Sequence, residues 1–405
     1  MTATRGSRLA GRATRIAPSP TLILVAKAKA LIAQGADVIR FDAGEPDFPT
    51  PQRIRDAAKR AMDEGKTGYT AASGMPELKQ VIADKLERDN GLCYEPSQII
   101  VSCGGKFALY VAMQALFQEG DEVLVPAPYW VSYPPMVELA GASAVIVPTT
   151  AEEGFLASAG RLAEHIGPNT RGLILNSPSN PTGAAYDEAQ LGAIAELAVE
   201  RGLWVLSDEI YEKMLYGGQR FAGIAAQGEA IRERTLVFNG VSKAYAMTGW
   251  RIGYAAGPGP VIKAMGAMQS QSTSNPTTIS QYAAMEAMAG PQDDVAEMVA
   301  AFEERRGRVV ELLEALPGVS CRMPVGAFYV LPDMGSHLGK RVGDQRIETD
   351  ADLSEYLLSQ HHVAVVPGSA FGAPGFQRIS YACSMDAIEE GVARIARALG
   401  ELEPA

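Results

Sequence analysis

The sequence contains few of the residues that build metal and redox centres. Only 4 cysteines and 4 histidines occur among 405 residues. The cysteines form no C-x-x-C pair, and the histidines show neither an H-E-x-x-H motif nor another metal-ligand spacing. We therefore expect no metal site and no redox dithiol, and the scattered thiols fit a reducing cytoplasm.

The chain also lacks an excess of positive charge and any long apolar run. It carries 36 lysines and arginines against 47 acidic residues, a formal net charge of −11. This balance argues against non-specific binding to nucleic acid or to an anionic membrane surface. No apolar run is long enough to cross a bilayer, and the arginine-containing first residues lack the apolar region of a secretory signal. We expect a cytoplasmic protein that binds neither nucleic acid nor membrane.

What the chain does have is a large apolar content, 47% of its residues, and a length that favours two domains. From residue 97 onward, short apolar segments alternate with helical patterns, which predicts an α/β fold with a mostly parallel sheet covered on both faces. A change of composition near Gly290 begins a charged helix followed by further strands, which indicates a smaller second α/β domain. We expect an N-terminal arm over residues 1–45, a large domain over 46–290 and a small domain over 291–405.

The stretch over residues 239–251 places polar and aromatic side chains around a single lysine. An apolar strand over residues 235–238 is expected to end at the turn-forming pair Asn239-Gly240, so that Lys243 stands just past a strand end. The surroundings are partly apolar and Arg251 supplies a second cation, so the pKa of the amine should be lowered, as formation of a Schiff base at neutral pH requires. For an isolated lysine the ordinary interpretation is a solvated surface charge.

The lysine segment also resembles that of a known family. Ser242-Lys243, followed after a gap by Gly-Trp-Arg-Ile-Gly-Tyr, is similar to the lysine segment of fold-type I aminotransferases that use pyridoxal phosphate. The full run resembles the I-gamma subgroup of aspartate aminotransferases, and the resemblance extends over most of the chain. It implies a large domain with a seven-stranded, mostly parallel sheet, a smaller α/β domain, and pyridoxal 5′-phosphate bound covalently to Lys243.

Polar residues that follow predicted strands match the family's residues around the cofactor ring. Asp208 corresponds to the aspartate that pairs with the pyridinium nitrogen, and Asn180 and Tyr211 correspond to the residues that bond the phenolic oxygen. Trp130 corresponds to the ring stacked on the pyridine face. From the residues alone, Asp208 could equally cap a following helix, and Asn-Pro-Thr is only a turn signal. The resemblance makes Lys243, Asp208 and Tyr211 the expected catalytic residues.

A phosphate site is expected where Ser-Cys-Gly-Gly-Lys joins a predicted strand to a helix. Backbone N–H groups at a helix N-terminus attract anions, which makes Gly105 and the backbone of Lys106 candidates. By the resemblance, Ser242 and Arg251 complete the cradle, the arginine through a two-pronged contact. Tyr69 corresponds to a tyrosine that reaches the phosphate of the neighbouring subunit, which implies a homodimer.

The resemblance also implies how the substrate is bound. Arg378 corresponds to the arginine that binds the α-carboxylate in a bidentate manner, and Gly44 to the glycine whose backbone meets the same carboxylate. Lys106 and Thr21 correspond to the residues that receive the distal carboxylate. The substrate-binding residues implied in this way are Gly44, Trp130, Asn180, Arg378, Lys106 and Thr21.

The expected reaction is transamination of L-aspartate with 2-oxoglutarate, giving oxaloacetate and L-glutamate by ping-pong kinetics, with Lys243 as the proton-transfer base. Many relatives also accept prephenate, which they bind through a basic residue. In this chain Ala17 occupies that position, and Pro20 replaces the usual small residue before Thr21, so the pattern for prephenate binding is incomplete. The alternatives are an aromatic or broad-specificity aminotransferase, a lyase reaction on the same scaffold, or a binding protein that has lost the chemistry.

Overall fold

The structure, a computed structural model, describes residues 9–18 and 20–404. Residues 1–8 of the expected N-terminal arm, and Ser19 at the start of its predicted helix, lie outside the described residues. The β-strands are β1 (Ile39–Arg40), β2 (Ile99–Ser102), β3 (Glu122–Pro126), β4 (Ser143–Val147), β5 (Thr170–Asn176), β6 (Trp204–Asp208), β7 (Thr235–Gly240), β8 (Gly253–Ala256), β9 (Tyr329–Val330), β10 (Arg341–Val342), β11 (Gln345–Arg346), β12 (Val363–Ala364), β13 (Val366–Pro367) and β14 (Gln377–Ser380). The α-helices are α1 (Gly11–Arg15), α2 (Pro20–Ala33), α3 (Gln52–Asp63), α4 (Pro76–Asn90), α5 (Gly105–Leu116), α6 (Tyr133–Leu139), α7 (Ala159–Ala163), α8 (Glu188–Glu200), α9 (Glu229–Arg232), α10 (Gly259–Ser270), α11 (Thr278–Ala289), α12 (Asp293–Glu314), α13 (Asp350–His361) and α14 (Met385–Gly400).

The largest sheet has seven strands in the order β2-β8-β7-β6-β5-β3-β4. The strands from β7 to β4 are parallel, and β8 is antiparallel to both of its neighbours. Successive residues of β6 point to opposite faces: Leu206 packs in one apolar cluster with α5 and α10, and Val205 packs in another with α8. Burial on both faces explains why these strands are continuously apolar. The prediction of a mostly parallel sheet covered by helices is confirmed.

The polar residues of the site meet because parallel strands end at the same edge of the sheet. The last residues of β5 and β6, Asn176 and Asp208, are direct neighbours across the two strands, and Asp208 pairs on its other side with Phe238 of β7. Ligands bind at this carboxyl edge in open α/β sheets. The segment that follows β7 therefore places Lys243 near Asp208.

One local prediction is wrong. The pair Asn239-Gly240 does not end the strand, because these residues continue β7 and pair with Tyr254 and Gly253 of β8. A Cβ atom on Gly240 would lie 2.9 Å from the Cα of Gly253, so glycine permits this close approach rather than a turn. The turn follows over residues 242–246 and carries Lys243.

A second core forms around the three-stranded antiparallel sheet β13-β14-β9. Phe302 of α12, Tyr356 of α13 and Ile395 of α14 are buried in it together with Phe41, which follows β1. The strand β1 pairs in parallel with β12, so the start of the described chain is joined to its last third. None of the helices in the described ranges is long and apolar enough to span a membrane.

Candidate active site

A cavity of about 430 Å³ lies at the carboxyl edge of the large sheet. Strand ends, the loop after β1 and the second sheet all contribute to its wall. Among the residues that line it are nearly all of the sequence-predicted site residues: Thr21, Gly44, Gly105, Lys106, Trp130, Asn180, Asp208, Tyr211, Ser242, Lys243, Arg251 and Arg378.

Lys243 extends its amine into this cavity from the turn after β7. The Nζ atom donates a hydrogen bond to the carbonyl oxygen of Gly44. It lies 5.8 Å from the ring centroid of Tyr211 and 5.7 Å from that of Phe328. Burial lowers the pKa of Lys243 to about 8, and nearby arginines add to this effect. The amine is therefore partly unprotonated near neutral pH, as the sequence predicts.

Asp208 is a buried carboxylate with defined hydrogen bonds. Its Oδ2 atom accepts from the hydroxyl of Tyr133 at 2.7 Å, and its Oδ1 atom accepts from the backbone N–H of Ile210 at 3.3 Å. Burial raises the pKa of Asp208 to about 6, although both hydrogen bonds act to lower it. No helix follows Asp208 directly in the described chain, so the alternative that it caps one is wrong. A buried carboxylate of this kind is stabilised when a cation enters the cavity.

Arg378 is a buried cation on β14 with spare hydrogen-bonding capacity. Its Nη1 atom donates to Asn180 Oδ1 at 3.4 Å and its Nη2 atom to the carbonyl of Asp42 at 2.8 Å. Among the described atoms, its Nε donor has no hydrogen-bond partner. The guanidinium carbon lies 4.7 Å from the ring centroid of Tyr329, whose hydroxyl is 2.9 Å from that of Tyr211. Because a buried guanidinium has five donors and few acceptors here, it suits an anionic carboxylate.

Another part of the cavity wall, where Gly105 and Arg251 lie, is suited to a second anion. The helix α5 begins at Gly105, and Gly104 before it has a left-handed backbone with φ of 88°. A Cβ atom on Gly104 would overlap the guanidinium of Arg251, so this arginine lies directly against the glycine turn. Ser242 is buried beside Lys243. Helix N–H groups and an arginine that lie this close together can bind an anion such as a phosphate group.

Lys106 and Trp130 also line the cavity and contact each other. The Nζ atom of Lys106 lies 4.8 Å from the centroid of the Trp130 ring. Burial, and secondarily the charge of Arg251, lower the pKa of Lys106. Thr21 of α2 lines the same cavity. A cation and a hydroxyl on the wall can receive a second carboxylate of a substrate.

Tyr69 is the predicted site residue that this chain does not bring to the cavity. Its side chain is 94% exposed. The preceding carbonyl, that of Gly68, accepts a hydrogen bond from Thr278 of α11 at 2.7 Å, so the backbone beside Tyr69 is fixed while its ring points outward.

Sequence reasoning missed Tyr133, Asn176 and Tyr329, all of which line the cavity. Tyr133 follows Trp130 by three residues, a spacing that could have placed both rings on one side of a helical turn. Asn176 donates from Nδ2 to the backbone carbonyl of Asp208 at 3.0 Å, and its position after an apolar strand was a usable signal. Tyr329 lies within an apolar strand segment and carries no such signal.

The chain matches the family model of aminotransferase class I and II over residues 36–395. It belongs to this family of aminotransferases. The aminotransferase is 50% identical over 389 residues to an aspartate aminotransferase of Bacillus sp. (strain YM-2), covering 96% of this chain and 98% of that protein. It is 50% identical over 384 residues to an aspartate/prephenate aminotransferase of Cereibacter sphaeroides, covering 94% and 96%. The structure resembles that of the aspartate aminotransferase from Rhizobium meliloti with a TM-score of 0.95 at 46% identity, covering 98% of this chain and 100% of that chain.

These comparisons confirm the resemblance to fold-type I aminotransferases, a family that depends on pyridoxal phosphate. The site of this aminotransferase fits that cofactor. It offers an amine of lowered pKa at Lys243, a buried carboxylate for a ring cation at Asp208, and an anion cradle where Arg251 meets Gly104. Within the described residues, no group of three or more histidine, cysteine or acidic side chains could hold a metal ion.

Proposed function

We propose that this aminotransferase converts L-aspartate and 2-oxoglutarate to oxaloacetate and L-glutamate by a ping-pong mechanism. The observation that carries the proposal is the composition of one cavity, which a lysine with a pKa of about 8 lines together with the buried carboxylate of Asp208 and the buried guanidinium of Arg378. The similarity to curated aspartate aminotransferases over nearly the whole chain supports the choice of substrate.

In this proposal the lining residues would hold pyridoxal phosphate. Asp208 would pair with the ring nitrogen, Tyr211 and Asn180 would bond the phenolic oxygen, and Trp130 would stack on the ring. The phosphate would be received by Gly105, the backbone of Lys106, Ser242 and Arg251, and Lys243 would be the point of covalent attachment. The cofactor, when bound, supplies an electron sink for the bonds to the substrate's α-carbon.

The protein's own part in the reaction is to orient the substrate and to move one proton. Arg378 binds the α-carboxylate through two parallel N–H donors. The carbonyl of Gly44 accepts from Lys243, so a contact between Gly44 and the carboxylate would come from its backbone N–H. The Nζ atom of Lys243 accepts the α-proton, and its pKa of about 8 keeps it an effective base near neutral pH.

Lys106 and Thr21 would select an acidic substrate by receiving its distal carboxylate. Aspartate and glutamate both carry this group. The Cereibacter sphaeroides relative is named an aspartate/prephenate aminotransferase, which makes prephenate the second candidate substrate. Ala17 supplies no charge at the position where the basic residue is expected, so 2-oxoglutarate is better supported than prephenate as the amino acceptor.

We further propose a homodimer in which the exposed ring of Tyr69 reaches the phosphate of the partner subunit's cofactor. The proposed division of the chain is an N-terminal arm over residues 1–45, a large domain over 46–290 and a small domain over 291–405. All 4 cysteines are free thiols, which supports a location in the cytoplasm.

Initial rates for a panel of amino acids with 2-oxoglutarate test the function. The panel contains aspartate, alanine, phenylalanine and tyrosine, and prephenate is assayed separately with glutamate or aspartate as donor. We expect the highest kcat/KM for aspartate. Strong activity with phenylalanine and none with aspartate would overturn the substrate assignment, and a protein that stays colourless after cofactor is added would overturn the reaction class.

A further inference from the structure

One carboxylate of the cavity has no part in the proposed function. The charged residues that line the cavity are Asp42, Glu45, Lys106, Asp208, Lys243, Arg251 and Arg378. Asp42 forms a salt bridge with Arg40, and Asp208 is proposed to pair with the cofactor ring. Glu45 remains, and a carboxylate in a cavity for anionic substrates opposes their binding unless it has a cationic partner.

Lys243, which lines the same cavity as Glu45, is the candidate partner. Glu45 directly follows Gly44, whose carbonyl accepts the hydrogen bond from Lys243 Nζ. The Oε2 atom of Glu45 accepts from the hydroxyl of Thr248 at 2.7 Å, and Thr248 lies in the same segment as Lys243. The backbone contact therefore fixes the amine, and the threonine fixes the carboxylate of the next residue on the same cavity wall.

The surrounding charges agree with this pairing. Among the charged neighbours of Lys243, Glu45 has the largest effect on the pKa of the amine, and it raises that pKa. Arg378 on β14 and Arg251 lower it, and Asp208 at the end of β6 raises it more weakly. The carboxylate of Glu45 thus opposes the arginines that bind the substrate and the phosphate.

We propose that Glu45 is a positioning residue for Lys243: its carboxylate, anchored by Thr248, favours the ammonium form of the free ε-amino group, which the Gly44 carbonyl holds in place. The inference rests on the proposed function, because Lys243 takes up the substrate's α-proton only when its amine is free. The added proton makes Nζ a cation, which the negative charge of Glu45 stabilises through space, so the carboxylate strengthens the base.

The test measures the titration of Lys243 in the full-length chain freed of cofactor. Trace labelling with acetic anhydride over pH 6–10, with the Lys243 peptide quantified by mass spectrometry, gives the midpoint at which the amine becomes reactive. We expect Glu45→Gln to lower this midpoint by roughly half to one pH unit, since the carboxylate is partly screened by solvent. Glu45→Asp keeps the charge and should restore most of the shift.

The matched control is Asp47→Asn. Asp47 lies on the same loop, forms a salt bridge with Arg305 at 2.7 Å and is not part of the cavity wall. This variant loses the same charge and should leave the midpoint of Lys243 unchanged. An unchanged midpoint in Glu45→Gln, or an equal shift in both variants, would overturn the inference.

The outcome is separable from that of the proposed function. A chain that transaminates aspartate but shows no shift in Glu45→Gln retains the function and loses this role of Glu45. A chain that shows the shift but has no activity on the amino-acid panel retains the electrostatic effect of Glu45 on Lys243 and loses the function. If Glu45→Gln does not fold, Thr248→Val is measured in its place, because it removes the hydrogen bond that anchors the Glu45 carboxylate. We expect a smaller shift of the Lys243 midpoint in the same direction. An unchanged midpoint would overturn the inference.

Discussion

Replacing Tyr133 by phenylalanine should change how the carboxylate of Asp208 titrates. The tyrosine hydroxyl donates to Asp208 Oδ2 at 2.7 Å, and this bond is the largest of the effects that lower the pKa of Asp208 from what burial alone would produce. A hydrogen bond to a charged group is worth about 1.5–3 kcal/mol. Since one pH unit corresponds to about 1.4 kcal/mol, Tyr133→Phe should raise the pKa of Asp208 by roughly one to two units above its value of about 6.

The assay is the affinity for pyridoxal phosphate as a function of pH. Only the ionised carboxylate attracts a ring cation, so the affinity should fall as the pH drops through the pKa of Asp208. We expect this fall to be centred at higher pH in Tyr133→Phe than in the unchanged protein, and the affinities should converge at alkaline pH. The cofactor's own ionisations are common to both proteins and cancel in the comparison.

Tyr129→Phe is the matched control, because Tyr129 lies in the same segment but does not line the cavity. It should leave the pH dependence of cofactor binding unaltered. If Tyr133→Phe and the unchanged protein lose affinity at the same pH, the hydroxyl does not control the ionisation of Asp208 and the reasoning is refuted.

Three further outcomes follow from the geometry of the site. Arg378→Lys should lower kcat/KM for aspartate by a factor on the order of 100 or more in steady-state assays, because a lysine cannot make two parallel bonds to a carboxylate; a loss below threefold would contradict the role. Gly104→Ala should weaken cofactor binding by more than tenfold, measured by equilibrium dialysis, because the added methyl group would meet the Arg251 guanidinium. Gly120→Ala is the control and should not weaken binding, because Gly120 has a similar positive φ but open space around it. Equal effects of the two variants would show that backbone strain, and not the contact with Arg251, causes the loss. Lys106→Ala should reduce kcat/KM for aspartate at least tenfold more than kcat/KM for alanine, because alanine has no distal carboxylate. Equal reductions for the two substrates would show that Lys106 does not determine specificity.

The positions of Asp208 and Lys243 could be predicted because they depend on short-range patterns. Strands buried on both faces are continuously apolar, so a polar residue at the end of such a run marks the edge of a parallel sheet. The change from a predicted strand to a helix also located the glycine pair at the start of α5, whereas Asn180 was assigned by the resemblance to a known family. The resemblance to a known family then supplied roles that the pattern alone left open. For Asp208 the pattern also allowed a helix cap, but no helix follows it directly in the described chain.

What the sequence did not predict depends on contacts between distant segments. The bond from Tyr133 to Asp208 joins residues 75 positions apart, and the hydroxyl contact between Tyr211 and Tyr329 joins residues 118 positions apart. Neither leaves a periodic trace in the local sequence. The antiparallel direction of β8 could not be predicted either, because a run of apolar residues does not indicate in which direction its strand runs. The close pairing of β8 with β7 explains why β7 continues through Gly240.

Location of the cofactor's attachment point tests the account most directly. The purified protein is loaded with pyridoxal phosphate, reduced with borohydride, digested and mapped by mass spectrometry. We predict a stable pyridoxyl phosphate group on the peptide that contains Lys243, and its loss from that peptide in Lys243→Ala. A label on Lys106 or on any other lysine, or no label at all, would contradict the account.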